Sequence, residues 1–212
     1  MPEKYDLIII GTGPAGYTAS IYASRFKLKN LLIGEVPGGM AVEAHQIENY
    51  PGFINISGRE LMEKFKAQAE HFGAQIVNNA VVAVQKIKDD FLVKTRLGSE
   101  FLAKSLILAS GSDYKKLGVA GEKDFVGKGV SYCPTCDGPF FRDKIVAVIG
   151  GANSAAMAAV YLADIAEKVY LIYRKENLRA EPIWTDRAEQ NKKIEIIRST
   201  NILEISGKDR VE

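Results

Sequence analysis

Cys133 and Cys136 are the only cysteines of this 212-residue chain, and two residues separate them. A dithiol at this spacing can close to a small disulfide and reopen, so it can take up an electron pair and pass it to another disulfide. Asp137 follows the second cysteine, where it serves either as a helix cap or as a proton donor to a leaving thiolate. The pair predicts redox chemistry, with these three residues as the candidate catalytic group.

Half of a zinc site is the rival interpretation of the cysteine pair. A zinc ion would need two further ligands. The two histidines, His45 and His71, lie far away along the chain and have no ligand spacing of their own. We therefore predict no metal site and expect both histidines to be structural.

A glycine turn at residues 11–16 has the spacing G-x-G-x-x-G and stands between a short apolar run and an alanine-rich stretch. This context predicts a strand, a turn and a helix that bind a dinucleotide pyrophosphate. Gly11 permits the tight turn, Gly13 lets the backbone approach the phosphates, and Gly16 permits close packing of helix on strand. The predicted pyrophosphate-binding residues are Gly11, Gly13, Pro14, Ala15 and Gly16.

The residues around this turn support the same prediction. Pro14 suits a first helical turn, whose free backbone donors and partial positive charge favour a phosphate. A second strand is predicted at residues 30–33, and Glu35 follows it, where a carboxylate can accept hydrogen bonds from ribose hydroxyls. A plain turn in an α/β protein is the alternative.

A second glycine turn begins at residue 150, again between a predicted strand and a predicted helix. It is weaker, because Ala152 replaces the middle glycine and its methyl group can crowd a phosphate. No acidic residue ends the following strand. Basic groups stand there instead and suit the extra phosphate of NADP, although a solvated charge run beside a structural βαβ unit is the alternative. The predicted contacts are Gly150, Gly151, Ala152, Asn153, Ser154, Arg174, Lys175 and Arg179.

The rest of the chain predicts an α/β fold with two nucleotide-binding units in series. Ser57 and Glu60 form a capping-box pattern before an amphipathic helix. Residues 75–102 read as short strands of an antiparallel meander, and residues 106–111 as a return to a buried strand. A polar, glycine-containing segment at residues 112–129 marks the predicted domain boundary.

Composition sets limits on the function. The formal net charge is +2, with charges of both signs along the whole chain, so nothing predicts a nucleic-acid surface. The polar N-terminus predicts neither a signal peptide nor a transmembrane span, and we expect a cytoplasmic protein. A hydrophobic content of 47% allows a substantial core.

Five stretches together resemble the low-molecular-weight thioredoxin reductases of bacteria and archaea. They follow each other in the order and at the intervals of that family, and the resemblance runs along the whole chain. The stretches are residues 10–17 (Ile-Gly-Thr-Gly-Pro-Ala-Gly-Tyr), 38–39 (Gly-Gly), 48–52 (Glu-Asn-Tyr-Pro-Gly), 109–111 (Ala-Ser-Gly) and 133–138 (Cys-Pro-Thr-Cys-Asp-Gly).

The resemblance implies two Rossmann-like domains, an FAD-binding domain at residues 1–114 and an NAD(P)-binding domain with the dithiol at residues 115–212. Electrons would pass from NADPH through FAD and the disulfide to thioredoxin. Cys136 would lie against the flavin, Cys133 would attack the partner's disulfide, and Asp137 would be the acid. Members of the family are homodimers whose nucleotide domain rotates. Further flavin contacts implied by the resemblance are Gly38, Gly39, Asn49, Ser110 and Gly111.

The chain departs from the family pattern at the nicotinamide site and near the flavin site. Tyr173 stands where NADPH-dependent members carry histidine, and Lys175 where they carry a second arginine. Together with Ala152, these residues leave NADH or ferredoxin as alternative donors. Met40 replaces the glutamine usual after the Gly-Gly pair.

The chain ends at Glu212, whereas family members continue and return to the first domain. We expect a fragment that lacks this return segment and the end of its second domain. A dithiol oxidase that passes electrons toward oxygen and a non-catalytic redox-sensing nucleotide-binding protein are the remaining alternatives.

Overall fold

The computed structural model describes residues 2–212 and divides the chain into two compact units, residues 1–113 and 114–212. Each unit is built on its own β-sheet. Within residues 2–212 no helix has both the length and the apolar character that crossing a membrane requires.

The first unit contains a six-stranded sheet with the strand order β3-β2-β1-β6-β5-β4. Strands β3, β2, β1 and β6 run parallel, and β5 and β4 continue the sheet antiparallel. The elements are β1 (Glu3–Ile10), α1 (Pro14–Arg25), β2 (Asn30–Gly34), a 3-10 turn (Gly39–Glu43), α2 (Gly58–His71), β3 (Gln75–Asn78), β4 (Val81–Ile87), β5 (Asp90–Thr95) and β6 (Glu100–Leu108).

Strand β1 is buried on both faces, because alternate side chains of a strand point to opposite sides of the sheet. Leu7 and Ile9 pack in one apolar cluster with Tyr17 of α1 and Leu61 of α2. Ile8 belongs to a second cluster, which includes residues of β5 and β6. The apolar run of β1 therefore reflects double burial and not an amphipathic strand.

Helix α2 begins as the capping-box pattern predicts. The Ser57 hydroxyl accepts a hydrogen bond of 3.2 Å from the Glu60 amide and so satisfies one of the free donors at the helix start. Leu61 and Ala69 of this amphipathic helix are buried. Gly73, at φ +85°, follows the helix in a left-handed conformation.

The prediction that the meander ends at residue 102 and that a separate buried strand covers residues 106–111 is wrong. A single strand, β6, runs from Glu100 to Leu108; it pairs antiparallel with β5 and parallel with β1. Its end is not buried either, since Leu108 is 71% exposed.

Polar residues in the middle of β6 explain the misleading pattern. Lys104 and Ser105 interrupt the apolar run, yet both side chains bind Asp6 on the neighbouring strand. The Lys104 ammonium lies 2.7 Å from the Asp6 carboxylate, and the Ser105 hydroxyl donates to the Asp6 carbonyl at 2.8 Å. Cross-strand pairs of this kind stabilise a strand without apolar side chains.

The second unit carries a three-stranded parallel sheet with the order β7-β8-β9. Helices α4 and α5 pack together beside it, and its core includes Ala159, Leu162, Val169 and Leu171. The elements are α3 (Pro134–Asp137), a 3-10 turn (Gly138–Phe141), β7 (Ile145–Ile149), α4 (Asn153–Ala163), β8 (Lys168–Ile172), α5 (Pro182–Gln190) and β9 (Ile194–Ile197). The alternation of strand and helix predicted for this half is confirmed.

Candidate active site

The first glycine turn lies between β1 and α1, at the carboxyl edge of the parallel strands. Gly11 has φ +119°, and a Cβ atom there would lie 2.0 Å from the Ala109 carbonyl oxygen. A Cβ atom on Gly16 would lie 1.8 Å from the Gly11 carbonyl oxygen. Protein atoms alone therefore require glycine at these two positions.

Gly13 has a different environment. A Cβ atom there would meet only the Gly38 carbonyl oxygen, at 3.9 Å, and its φ of −83° is open to any residue. The space beside its backbone, next to the first turn of α1, is what a pyrophosphate would fill. The residues of this turn therefore fit a dinucleotide.

The Gly-Gly pair lies against the same turn. Gly38 donates its amide hydrogen to the Thr12 carbonyl at 2.8 Å, and a Cβ atom on Gly39 would lie 3.2 Å from the Gly13 Cα atom. Both glycines have positive φ angles, +86° and +55°. The structure thus brings together two stretches that lie more than twenty residues apart in the chain.

The other residues proposed for this site lie in exposed segments. Ser110 and Gly111 directly follow β6, and the Ser110 backbone nitrogen would lie 3.2 Å from a Cβ atom on Gly11. Asn49 is exposed in a loop closed by the backbone bridge between Ile47 and Ile56. Ser110 is therefore close to the glycine turn, whereas Asn49 belongs to a separate loop.

Glu35 forms an ion pair that the sequence does not predict. Its carboxylate forms an ion pair with the Arg96 guanidinium, although the two residues lie 61 positions apart in the chain. Arg96 lies in the turn between β5 and β6. Both side chains are more than half exposed, at 53% and 61%. A ribose at Glu35 would therefore share this carboxylate with a guanidinium.

The second glycine turn has a similar backbone but different neighbours. Ala152 precedes α4 at φ −105° and ψ −178°, close to the values of −83° and −173° at Gly13. Gly151 is buried against Tyr173, because a Cβ atom there would lie 2.4 Å from the tyrosine ring. Tyr173 therefore covers one side of this turn.

The loop after β8 is held against the same turn. The Arg179 amide donates to the Gly151 carbonyl at 2.5 Å. Asn153 binds Glu181 twice, with its side-chain amide donating to the carboxylate at 3.0 Å and its carbonyl oxygen accepting from the Glu181 amide at 2.7 Å. The basic side chains Arg174, Lys175 and Arg179 are all exposed, as is Ser154.

Cys133 and Cys136 form a disulfide with 5.3 Å between their Cα atoms. Cys133 precedes the short helix α3, and its sulfur accepts a hydrogen bond of 3.2 Å from the Cys136 amide. The Thr135 hydroxyl lies 3.4 Å from the same sulfur. Cys133 is half-buried, whereas Cys136 is exposed. The structure therefore gives Cys133 a polar surrounding that would stabilise a thiolate.

Asp137 caps no helix. The first residue before α3 is Cys133, and the Asp137 side chain makes no capping bond to the 3-10 turn that follows. Its carboxylate instead lies 2.5 Å from the Ser131 hydroxyl. The structure therefore does not support the capping role, and the role of Asp137 as a proton donor stays a prediction.

The segment before the dithiol is organised by a buried carboxylate, which the sequence analysis missed. Glu122 is 4% exposed and accepts hydrogen bonds from the Leu117 amide at 2.7 Å, the Gly118 amide at 2.6 Å and the Tyr132 hydroxyl at 2.9 Å. The Leu117 amide contributes most to lowering the pKa of Glu122. The Lys116 ammonium lies 3.4 Å from the centre of the Tyr132 ring.

Burial raises the pKa of Tyr132, and its hydrogen bond to the ionised Glu122 adds to this effect. The hydroxyl therefore stays protonated and acts as a donor. Within residues 2–212, no three histidine, cysteine or acidic side chains come together as a metal site. What the chain assembles next to Tyr132 is a disulfide with a nearby carboxyl group.

Comparison with known proteins identifies the class to which this fold and site belong. The pyridine nucleotide-disulphide oxidoreductase model matches residues 5–212, so the chain belongs to that family. Thioredoxin reductase of Bacillus subtilis strain 168 is 43% identical over 202 residues, which cover 95% of this chain. The chain spans 64% of the length of that curated relative.

Solved structures agree with this assignment. The crystal structure of Lactococcus lactis thioredoxin reductase superposes with a TM-score of 0.95 and 39% identity, over 98% of this chain and 69% of that chain. Ferredoxin-flavin thioredoxin reductase from Clostridium acetobutylicum shows 34% identity and a TM-score of 0.50, over 100% of this chain and 70% of that chain. Within the wider family, the chain belongs to the low-molecular-weight thioredoxin reductases.

Proposed function

We propose that this chain is part of a thioredoxin-disulfide reductase that binds FAD at the first glycine turn and NADPH at the second. The observation that carries the proposal is the Cys133–Cys136 disulfide in the unit that contains the second glycine turn, together with a dinucleotide-type turn in the other unit. When bound, the two cofactors supply the electron pair that reduces this disulfide.

The chain's own residues carry out the exchange with the partner disulfide. The Cys133 thiolate, stabilised by the Cys136 amide and near the Thr135 hydroxyl, attacks one sulfur of the partner. A Cys133–partner disulfide forms, and the partner's own disulfide breaks. Asp137 gives its proton to the partner thiolate that leaves.

The Cys136 thiolate then attacks the Cys133 sulfur. The Cys133–Cys136 disulfide forms again, and the second partner sulfur leaves as a thiolate that takes up a proton. Two electrons have then passed from the dithiol to the partner, which we propose is thioredoxin or a thioredoxin-like protein.

We also propose that the full-length protein is a homodimer and that it is cytoplasmic.

Cysteine variants test the assigned roles in the full-length protein. Cys136→Ser should trap thioredoxin as a stable mixed disulfide, since no thiol remains to resolve it. Cys133→Ser should trap none, while its FAD content stays that of the wild type. Non-reducing gels and mass spectrometry of the trapped complex measure this. Equal trapping by both variants would reverse the assignment.

A different electron donor is the second candidate. Tyr173 covers Gly151, and Ala152 stands at the middle position of the turn, so the nicotinamide site departs from the family pattern. The similarity to the ferredoxin-flavin enzyme of Clostridium acetobutylicum favours reduced ferredoxin as the alternative. Flavin bleaching by NADPH, NADH and reduced ferredoxin in parallel distinguishes the donors; a protein that takes up no FAD would overturn both candidates.

A further inference from the structure

The hydroxyl of Ser131 lies between the attacking cysteine and the candidate acid. It lies 2.5 Å from the Asp137 Oδ2 atom, accepts a hydrogen bond of 3.2 Å from the Cys133 amide, and lies 3.4 Å from the Cys133 carbonyl oxygen. Both Ser131 and Asp137 are half-buried. One hydroxyl thus links the backbone of Cys133 to the carboxyl group.

A serine hydroxyl has one hydrogen, so it donates to only one of its two possible acceptors. The Asp137 carboxyl oxygen at 2.5 Å is much closer than the Cys133 carbonyl oxygen at 3.4 Å, so the shorter hydrogen bond goes to Asp137. The Cys133 amide fills a lone pair of the Ser131 oxygen and so turns the hydroxyl hydrogen toward Asp137. The resulting chain runs from the Cys133 amide through Ser131 to Oδ2.

We infer that Ser131 is a positioning residue for Asp137 in the exchange step, an inference that rests on the proposed function. With Oδ2 occupied by the Ser131 hydroxyl, Oδ1 is the oxygen that carries the proton for the leaving partner thiolate. The carboxyl O–H bond breaks, a partner S–H bond forms, and Asp137 is left as a carboxylate. The Ser131 bond strengthens as this charge develops, so it stabilises the transition state more than the ground state.

A double-mutant cycle with Asp137→Asn tests this inference in the full-length, FAD-loaded protein. Each variant is reduced with dithionite, which bypasses the natural donor, and mixed with oxidised thioredoxin at a series of concentrations. Ser131→Ala should lower the maximal exchange rate about tenfold. The half-saturating thioredoxin concentration should change by less than about twofold, because Ser131 is not a docking residue in this account.

The cycle separates positioning from general damage to the fold. In the Asp137→Asn background, Ser131→Ala should change the rate by less than about twofold, since no proton remains to be positioned. Ser131→Thr, which keeps the hydroxyl, should restore most of the rate. Ser105→Ala is the matched control, because it removes a hydroxyl that binds a backbone carbonyl far from the dithiol in sequence.

The outcomes distinguish this inference from the proposed function. A wild-type protein that reduces no thioredoxin overturns both. A wild-type rate that falls in Asp137→Asn but not in Ser131→Ala overturns the role of Ser131 alone, and so does a tenfold loss that persists in the Asp137→Asn background. Ser131→Gly is the second hydroxyl-free variant if Ser131→Ala lowers the melting temperature or the FAD content.

Discussion

The three glycines of the first turn are required for different physical reasons. At Gly11 and Gly16, a Cβ atom would lie within about 2 Å of a backbone oxygen, so any side chain there would force the backbone to shift and destabilise the fold. At Gly13, the protein leaves room for a side chain, and the backbone conformation tolerates one. The fold itself therefore does not require glycine at position 13, and we propose that a bound dinucleotide does.

Gly13→Ala should leave the free energy of unfolding of the apoprotein within about 0.5 kcal/mol of the wild type, because nothing in the fold opposes the added methyl group. It should weaken FAD binding by about tenfold or more, since the methyl group occupies the space of the pyrophosphate; a factor of ten is about 1.4 kcal/mol. Urea unfolding and FAD titration measure the two effects.

Gly16→Ala is the matched control for Gly13→Ala. Its Cβ atom would lie 1.8 Å from the Gly11 carbonyl oxygen, so we expect a loss of about 1–3 kcal/mol in stability even without cofactor. If Gly13→Ala destabilised the apoprotein as much as Gly16→Ala, the requirement at Gly13 would lie in the fold and not in a dinucleotide.

The sequence predicts residues whose role depends on local spacing, and misses those whose role depends on a distant partner. The cysteine pair and the glycine turns belong to the first kind, because a turn or a short loop brings neighbours together whatever the rest of the chain does. The Glu35–Arg96 pair belongs to the second kind. Ser131 is only six residues from Asp137, yet no periodic pattern marks a hydroxyl that turns back onto a short helix.

At the scale of elements, the predicted helices and strands match closely where the apolar pattern is uninterrupted. The strand predicted at residues 30–33 is β2 (Asn30–Gly34), and α2 begins after the predicted cap. The prediction of strand β6 fails because polar hydrogen bonds to Asp6 on the neighbouring strand stabilise its middle. A pattern of apolar residues does not reveal such bonds. Burial of its end also depends on what covers the sheet, and the strand's own residues carry no sign of that.

The segment between residues 114 and 132 has little regular structure, so specific hydrogen bonds must order it. Glu122 supplies three of them and connects the Leu117 and Gly118 amides to the residue before Cys133. The hydrogen bonds that Glu122 accepts, above all from the Leu117 amide, favour its anion and lower its pKa. The stability of this segment should therefore decrease as the pH falls and Glu122 becomes protonated.

Glu122→Gln should destabilise the second unit by about 1–3 kcal/mol at neutral pH, because the uncharged amide cannot accept all three hydrogen bonds. The folded-state pKa of Glu122 is lowered, so its contribution is present above the unfolded pKa and is lost as pH falls through the lower folded value. As pH falls through and below the ordinary glutamate pKa of about 4.3, the wild type should therefore lose more stability than the variant. Denaturant unfolding at each pH measures the difference.

Glu167→Gln is the control for Glu122→Gln, since it removes an exposed carboxylate from the same unit. It should change neither the stability at neutral pH nor the steepness of the acid-induced loss. If the free energy of unfolding fell equally with pH in the wild type and in Glu122→Gln, the hydrogen bonds of Glu122 would not be what favours its ionised form.

At the scale of the whole molecule, the chain contains two glycine turns of the dinucleotide-binding type, and the second matches the pattern less well than the first. The first turn leaves Gly13 open, while the second has Ala152 at the corresponding backbone conformation and Tyr173 against Gly151. The basic residues after β8 are thus the main feature that points to a phosphorylated nicotinamide dinucleotide. Their contribution decides between the two proposed donors.

Replacing Arg174 and Arg179 together by alanine should raise the apparent KM for NADPH by about tenfold or more and leave that for NADH nearly unchanged. Each charged hydrogen bond to a phosphate contributes about 1.5–3 kcal/mol, and NADH lacks the 2′-phosphate that would accept these bonds. Lys208→Ala with Arg210→Ala is the control, because it removes two exposed positive charges from the same unit. An equal rise for both nicotinamides would refute the 2′-phosphate assignment, and a flavin that only reduced ferredoxin bleaches would favour the second donor.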